Sequence, residues 1–149
     1  MPFIPFHKPN LKSTKVLMSD LQKTIKSGWI SSGPEIKKFE KQFAKLAHRK
    51  FAVSVNSNTN GLHIGLKSIG VSDGSKVITT PYSFVATANS ILYNGASPVF
   101  VDIDKDTFNI DVSKIEEALL NNNNVKAIMP VHFGGNICDM KKILQLAKK

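Results

Sequence analysis

Ser57-Asn58-Thr59 brings two hydroxyls and an amide together just after a short apolar run and just before a helical pattern. A helix N-terminus carries about half a positive charge and unsatisfied N–H groups, so this arrangement can hold a phosphate dianion. The same residue types cap helices with no ligand at all, and the local sequence leaves both readings open. Phe84 follows a second strand end, after Thr80-Pro81, where another helical pattern opens. There it either stacks on a planar ring or staples the helix to the core. A phosphate cup beside an aromatic plate suits a flat, phosphorylated ligand. No Gly-Lys-Ser/Thr follows the first loop and no G-x-G-x-x-G occurs, so neither a Walker loop nor a dinucleotide fingerprint is present.

Other chemistry-bearing residues are weaker signals. Asp102, Asp104, Asp106 and Asp111 cluster after the third apolar run, but the central Gly and terminal Glu of a Ca²⁺ loop are missing. They read as turn and capping residues, and no metal is expected. His132 and Cys138, six residues apart, do not make a four-ligand zinc site. His132 reads as a supporting residue of the site and Cys138 as buried filler.

The elements that would position these residues follow from periodicity. Residues 15–27 carry apolar side chains at Val16, Leu17, Leu21 and Ile25, and Gly28 is a natural stop. Residues 29–33 form a loop, and Pro34 suits a first helical turn. Ile36, Phe39, Phe43 and Leu46 then make an amphipathic stripe that reads as core packing. From Phe51 the rhythm changes. Apolar runs start near Phe51, Lys76, Ser97 and Val125, separated by helical patterns at 59–69, 84–94 and 113–120. A last helix starts near Asp139. Ser113-Lys-Ile-Glu116 has the capping-box pattern, and Gly70, Asp73-Gly74 and Asn94-Gly95 punctuate the returns. Residues 121–124, all Asn, read as a loop tip. The expectation is an α/β fold: a mainly parallel sheet of four strands with flanking helices. Residues 1–50 form an N-terminal helical segment and 51–149 a partial α/β ligand-binding domain. In such sheets ligands sit beyond the carboxyl ends of the strands, which brings loops 56–60, 80–84, 102–109 and 132–136 to one edge.

Composition narrows the class. At 149 residues, with a 42% apolar fraction, the chain can build one real core. No run reaches the ~18 apolar residues of a membrane span, and the N-terminus lacks a signal-peptide apolar region. A single cysteine fits a reducing compartment, so a cytoplasmic location is expected. The net charge of +9 comes from lysines spread along the chain, with Arg49 the one arginine. Base-edge readers rely on arginine forks, so no nucleic-acid partner is expected.

In order and spacing, the chain resembles the start of the DegT/DnrJ/StrS-type pyridoxal-phosphate-dependent sugar aminotransferases. The matching residues are Gly28-Trp29-Ile30, Gly33-Pro34, Phe39-Glu40, Phe43-Ala44, Ser57-x-Thr59 and Thr80-Pro81 through Thr87. Gly95-Ala96, Pro98 through Asp102, Pro130-Val131-His132 and Cys138-Asp139-Met140 complete the set. The resemblance implies the N-terminal part of a fold-type I transferase large domain, with pyridoxal 5′-phosphate bound at a homodimer interface. It implies that Ser57, Asn58 and Thr59 hold the cofactor phosphate, that Phe84 stacks on its pyridine ring, and that Trp29 lies near the sugar. The implied substrates are a nucleotide-linked keto-sugar and glutamate. A sugar dehydratase of the same family and a non-catalytic truncated relative that binds a partner are the alternatives. Two departures stand out. Asn58 replaces the usual Gly or Ala, and Asn60-Gly61 replaces a small apolar pair. The family's pyridine-binding Asp and Schiff-base Lys fall beyond Lys149, so residues 1–149 alone are expected to be inactive.

Overall fold

The computed structural model describes residues 13–148. The first twelve residues of the expected N-terminal helical segment, and Lys149, lie outside the described residues. The chain divides into two compact units, Met1–Ser54 and Val55–Lys149.

In the first unit, α1 spans Thr14–Ser27 and α2 spans Pro34–Leu46. Gly28 ends α1 with φ 75°, and its N–H bonds the Ile25 carbonyl, a left-handed stop that glycine adopts without a Cβ penalty. Pro34 opens α2 as expected. The expected core stripe is not buried, however. Phe39 and Phe43 are 55% and 50% exposed, and Ala44 is the one buried residue of the two helices. The stripe exists as a face, with the Phe39 and Phe43 rings 5.9 Å apart, but the described residues do not cover it. Beyond α2, both the N–H and the Oγ–H of Ser54 donate to Glu40 Oε1 at 2.8 Å.

The second unit is an α/β/α sandwich. Helices α3 (Asn58–Ser68), α4 (Ala86–Leu92), α5 (Val112–Asn121) and α6 (Met140–Leu146) surround β1 (Lys76–Thr79), β2 (Ser97–Phe100) and β3 (Val125–Ile128). The strands are parallel in the order β2-β1-β3. Central β1 is buried on both sides, and successive side chains feed opposite faces. Val77 packs with Leu66, Val71, Ile91 and Ala96 on the α3/α4 side. Ile78 packs with Val101, Ile110, Ile115, Cys138 and Ile143 on the α5/α6 side. Pro98 sits in edge strand β2, where a missing N–H is tolerated.

Four expectations are corrected. The run at Phe51 is not a strand: it pairs with nothing among the described residues, and Phe51 and Val53 stay 76% and 79% exposed. Its alternation matches a β pattern, but alternation does not supply a pairing neighbour, so among the described residues the sheet has three strands and not four. The segment expected at 84–94 is an α-helix only from Ala86, so Phe84 stands two residues ahead of it instead of opening it. Helix α5 is capped by Asp111, whose carboxylate accepts the Ser113 N–H (2.9 Å) and hydroxyl (2.6 Å). Ser113 therefore lies inside the first turn, and the capping box does not form. Finally, the asparagine run is not wholly a loop: Asn121 still belongs to α5. Beyond it, Asn124 takes φ 60° and its amide donates to the Gly74 carbonyl at 2.7 Å.

Candidate active site at the strand ends

Three segments meet beyond the carboxyl ends of β1 and β3. They line a cleft of about 610 Å³ whose walls include Asn58, Tyr82, Phe84, Met129, His132 and Phe133. That size suits a small cofactor. Of the expected site residues, Asn58 and Phe84 both reach this cleft.

Helix α3 supplies one wall. Ser57 is its N-cap, and its Oγ accepts the Asn60 N–H at 3.2 Å. The first helical bond runs from the Gly61 N–H to the Ser57 carbonyl at 3.1 Å. The N–H groups of Asn58 and Thr59 belong to the first turn, which offers them no intrahelical acceptor. Asn60 Nδ2 also donates to Asn56 Oδ1 at 2.6 Å, steadying the turn. The Ser57 hydroxyl thus serves the helix, while Asn58 lines the cleft and Thr59 is half-buried.

The loop after β1 supplies the aromatic wall. Thr79 Oγ1 donates to the Met129 carbonyl at 2.8 Å, joining the ends of β1 and β3. The Ser83 N–H then bonds the Pro81 carbonyl at 2.9 Å, a tight turn that throws Phe84 outward, 78% exposed. Its carbonyl accepts the Thr87 N–H at 3.0 Å and so starts α4. A buried staple residue would not be so open, so the ring is available as a plate.

The loop after β3 completes the cleft with His132 and a 3₁₀ turn, Phe133–Gly135. Asn109, 5% exposed, clamps this turn: its Oδ1 accepts the Phe133 N–H at 3.0 Å and its Nδ2 donates to the Asn136 carbonyl at 3.1 Å. Tyr82, Phe108 and Phe133 form an aromatic triangle with ring centroids 4.6–5.9 Å apart. Of the four loops expected at this edge, the one after β2 does not line the cleft and acts through Phe108 and Asn109. These two, with Tyr82 and Phe133, were not singled out from sequence. Their spacing carries no signal, because three different loops bring the rings together.

The remaining candidates have other surroundings within their own units. Trp29 belongs to the first unit and lines a small pocket there with Asp20, Lys23 and Glu35. Asp104 accepts the Thr107 hydroxyl and N–H, together with the Asp106 N–H, and these bonds hold its carboxyl below the ordinary range. Asp139 caps α6 by accepting the Lys142 N–H. A wider cleft of about 780 Å³ holds Asp104, Asp111 and Asp139 among its walls, and all three are engaged with backbone N–H groups. Cys138 is buried in the core, which pushes its thiol up, and its Sγ donates to the Val131 carbonyl at 3.2 Å.

The α/β arrangement and its relatives agree. Residues 12–149 match the DegT/DnrJ/EryC1/StrS aminotransferase family. The chain is 44% identical over 146 residues to the spore coat polysaccharide biosynthesis protein SpsC of Bacillus subtilis, covering 98% of this chain and 36% of SpsC. It is 40% identical over 149 residues to GDP-perosamine synthase of Escherichia coli O157:H7, covering 99% of this chain and 40% of the synthase. Among solved structures, Spr1654 of Streptococcus pneumoniae in its PMP form superposes with a TM-score of 0.89 at 33% identity, over 96% of this chain and 35% of that one. The chain therefore spans 36–40% of the length of these curated relatives. This chain belongs to the DegT/DnrJ/EryC1/StrS aminotransferase family.

Proposed function

We propose that residues 1–149 are the N-terminal part of a pyridoxal-phosphate-dependent aminotransferase that acts on a nucleotide-linked keto-sugar, with glutamate as amino donor. The observation that carries this is the cleft at the β1 and β3 ends, which joins the α3 N-terminus, through Asn58, to the exposed Phe84 ring.

The groups present fit the cofactor. Among the described residues the cleft walls hold no carboxylate to repel a phosphate. The N–H groups of Asn58 and Thr59, with the amide of Asn58, offer donors at the positive end of α3. Phe84 offers a face for a pyridine ring, at a distance from the phosphate set by the rigid β1 and α3 anchors. When bound, the cofactor supplies the electron sink for amino-group transfer. The residues described here bind and orient it. Asn58 at the first position of α3, where the family has Gly or Ala, adds a side-chain donor to the cup. The likeness to SpsC, a spore coat polysaccharide biosynthesis protein, and to GDP-perosamine synthase supports a sugar substrate. The homodimer, the cytoplasmic location and the role of Trp29 near the sugar belong to the same proposal.

The test uses pyridoxamine 5′-phosphate as the probe. The aldehyde form would react with any of the nineteen lysines, whereas the amine cannot. In a ¹⁵N-labelled chain, the amides of residues 57–61 are expected to shift on titration. Phe84→Ala is expected to weaken binding about fivefold, the loss of one ring contact. Amides at 57–61 that stay fixed while others move would reject the reading.

A further inference from the structure

We infer that His132 is a positioning residue whose Nε2–H donates to an oxygen of the ligand held between Asn58 and Phe84. This deepens the cofactor reading above and rests on it. His132 lines the cleft, on the wall formed by the loop after β3. Its Nδ1 accepts the backbone N–H of Cys138 at 3.2 Å. A ring nitrogen that accepts an N–H carries no proton of its own, so the neutral ring holds its proton on Nε2. One hydrogen bond therefore fixes both tautomer and ring orientation.

The surrounding structure makes that choice rigid. Cys138, the donor to Nδ1, is 3% exposed and packs with Ile78, Ile110 and Ile143 in the core. Its Sγ reaches back to the Val131 carbonyl, next to His132. On the other side, the His132 carbonyl accepts the Gly135 N–H at 3.0 Å, and Asn109 clamps Phe133. The ring is held at Nδ1 and its main chain at the carbonyl, and Nε2 has no protein partner among the described residues. Among the described residues the cleft walls carry no other ring N–H donor, and most acceptors of a phosphorylated pyridine, on its phosphate and its ring oxygen, are oxygens. A fixed donor on the wall formed after β3 selects ligands with an oxygen at that position over ligands that fill the cleft by shape alone.

Two substitutions separate the halves of this side chain. His132→Asn keeps an oxygen able to accept the Cys138 N–H but removes the distal donor. His132→Gln reaches far enough to restore a donor near the Nε2 position. Both are titrated with pyridoxamine 5′-phosphate beside the parent chain, and ¹⁵N spectra of the imidazoles report the tautomer. The expected results are an Nε2–H tautomer before ligand is added and an Nε2–H signal that shifts with ligand. Affinity falls about tenfold in His132→Asn, the worth of one hydrogen bond, and recovers in His132→Gln. Shifts at residues 57–61 with undiminished affinity in His132→Asn would overturn the His132 role and leave the cleft reading standing. A proton on Nδ1 in the ligand-free chain overturns it as well. No shift at residues 57–61 removes both. If His132→Asn fails to fold, the parent chain decides: an Nε2–H signal unmoved by saturating ligand overturns the inference.

Discussion

The two units reach helical structure by different routes. In the second unit, α3, α5 and α6 each begin with a side chain that accepts a backbone N–H: Ser57, Asp111 and Asp139. Each also buries at least one apolar residue against the sheet or its partner helix. In the first unit, neither α1 nor α2 has a side-chain cap, and they bury Ala44 alone. Both regions show an amphipathic period, yet only one encloses its apolar face. A period states which side of a helix seeks cover. It does not state what covers it. Helices of 14 and 13 residues without that cover are marginal in water.

The strongest way to break this comparison is a matched pair of core deletions. Ile78 is fully buried in central β1, whereas Phe39 is 55% exposed on α2. Ile78→Ala is expected to cost about 2–5 kcal/mol, from lost transfer energy and an unfilled cavity. Phe39→Ala is expected to cost about 0.5 kcal/mol, a surface value. Urea denaturation followed by circular dichroism measures both. Equal costs would mean that the stripe on α2 is as enclosed as the sheet.

A glycine pair sharpens the contrast. Gly95 has φ 72°, and a Cβ there would run into the Asp73 carboxylate. Gly28 has φ 75° with nothing within 4 Å of the added atom. Both alanines carry the backbone penalty of the left-handed region, about 1–2 kcal/mol. Gly95→Ala adds the clash between the α4–β2 turn and the loop before β1, for a total of about 3 kcal/mol, the upper end for local strain. Thermal melts of the two variants should differ in that order. Equal melting points would show that the Asp73 side chain moves aside freely.

The same difference governs what was legible in the sequence. The runs at Lys76, Ser97 and Val125 were readable as strands because turn residues bound them and helical patterns separate them. The run at Phe51 carries the same alternation and was misread, because pairing is a property of neighbours. The cleft was half legible. Phe84 follows the end of β1, where α/β sheets place ligands, so topology pointed to it, whereas Asn58 follows a run that only resembles a strand and reaches the cleft at the start of α3. The Tyr82–Phe108–Phe133 triangle and the Asn109 clamp were not readable. Phe108 depends on a positive φ of 58°, which its residue type does not announce. Asn109 matters through atoms 24 and 27 residues away. The capping error at α5 has a local cause. Ser113 and Glu116 have the right spacing, but Asp111 two residues earlier offers a charged acceptor, and charge-assisted bonds are the stronger ones.

That last point yields the smallest effect and the most specific one. The Ser113 hydroxyl, with the Ser113 N–H, holds the Asp111 carboxyl below its ordinary value. A carboxylate with a lowered folded pKa contributes stability above its unfolded value near 3.8. That contribution disappears as pH falls through the lowered folded value. Asp111→Asn keeps an oxygen for the Ser113 N–H and removes the charge, so it is expected to cost little at pH 3 and more at pH 7. Asp111→Ala loses the cap outright at pH 7, about 1 kcal/mol. Ser113→Ala leaves the backbone bond in place and should cost less than Asp111→Ala. If Ser113→Ala costs more, the cap of α5 is Ser113 after all. Comparing urea midpoints of the three variants at pH 3 and pH 7 decides between the two assignments, because only an Asp111 cap makes the Asn variant's deficit grow with pH.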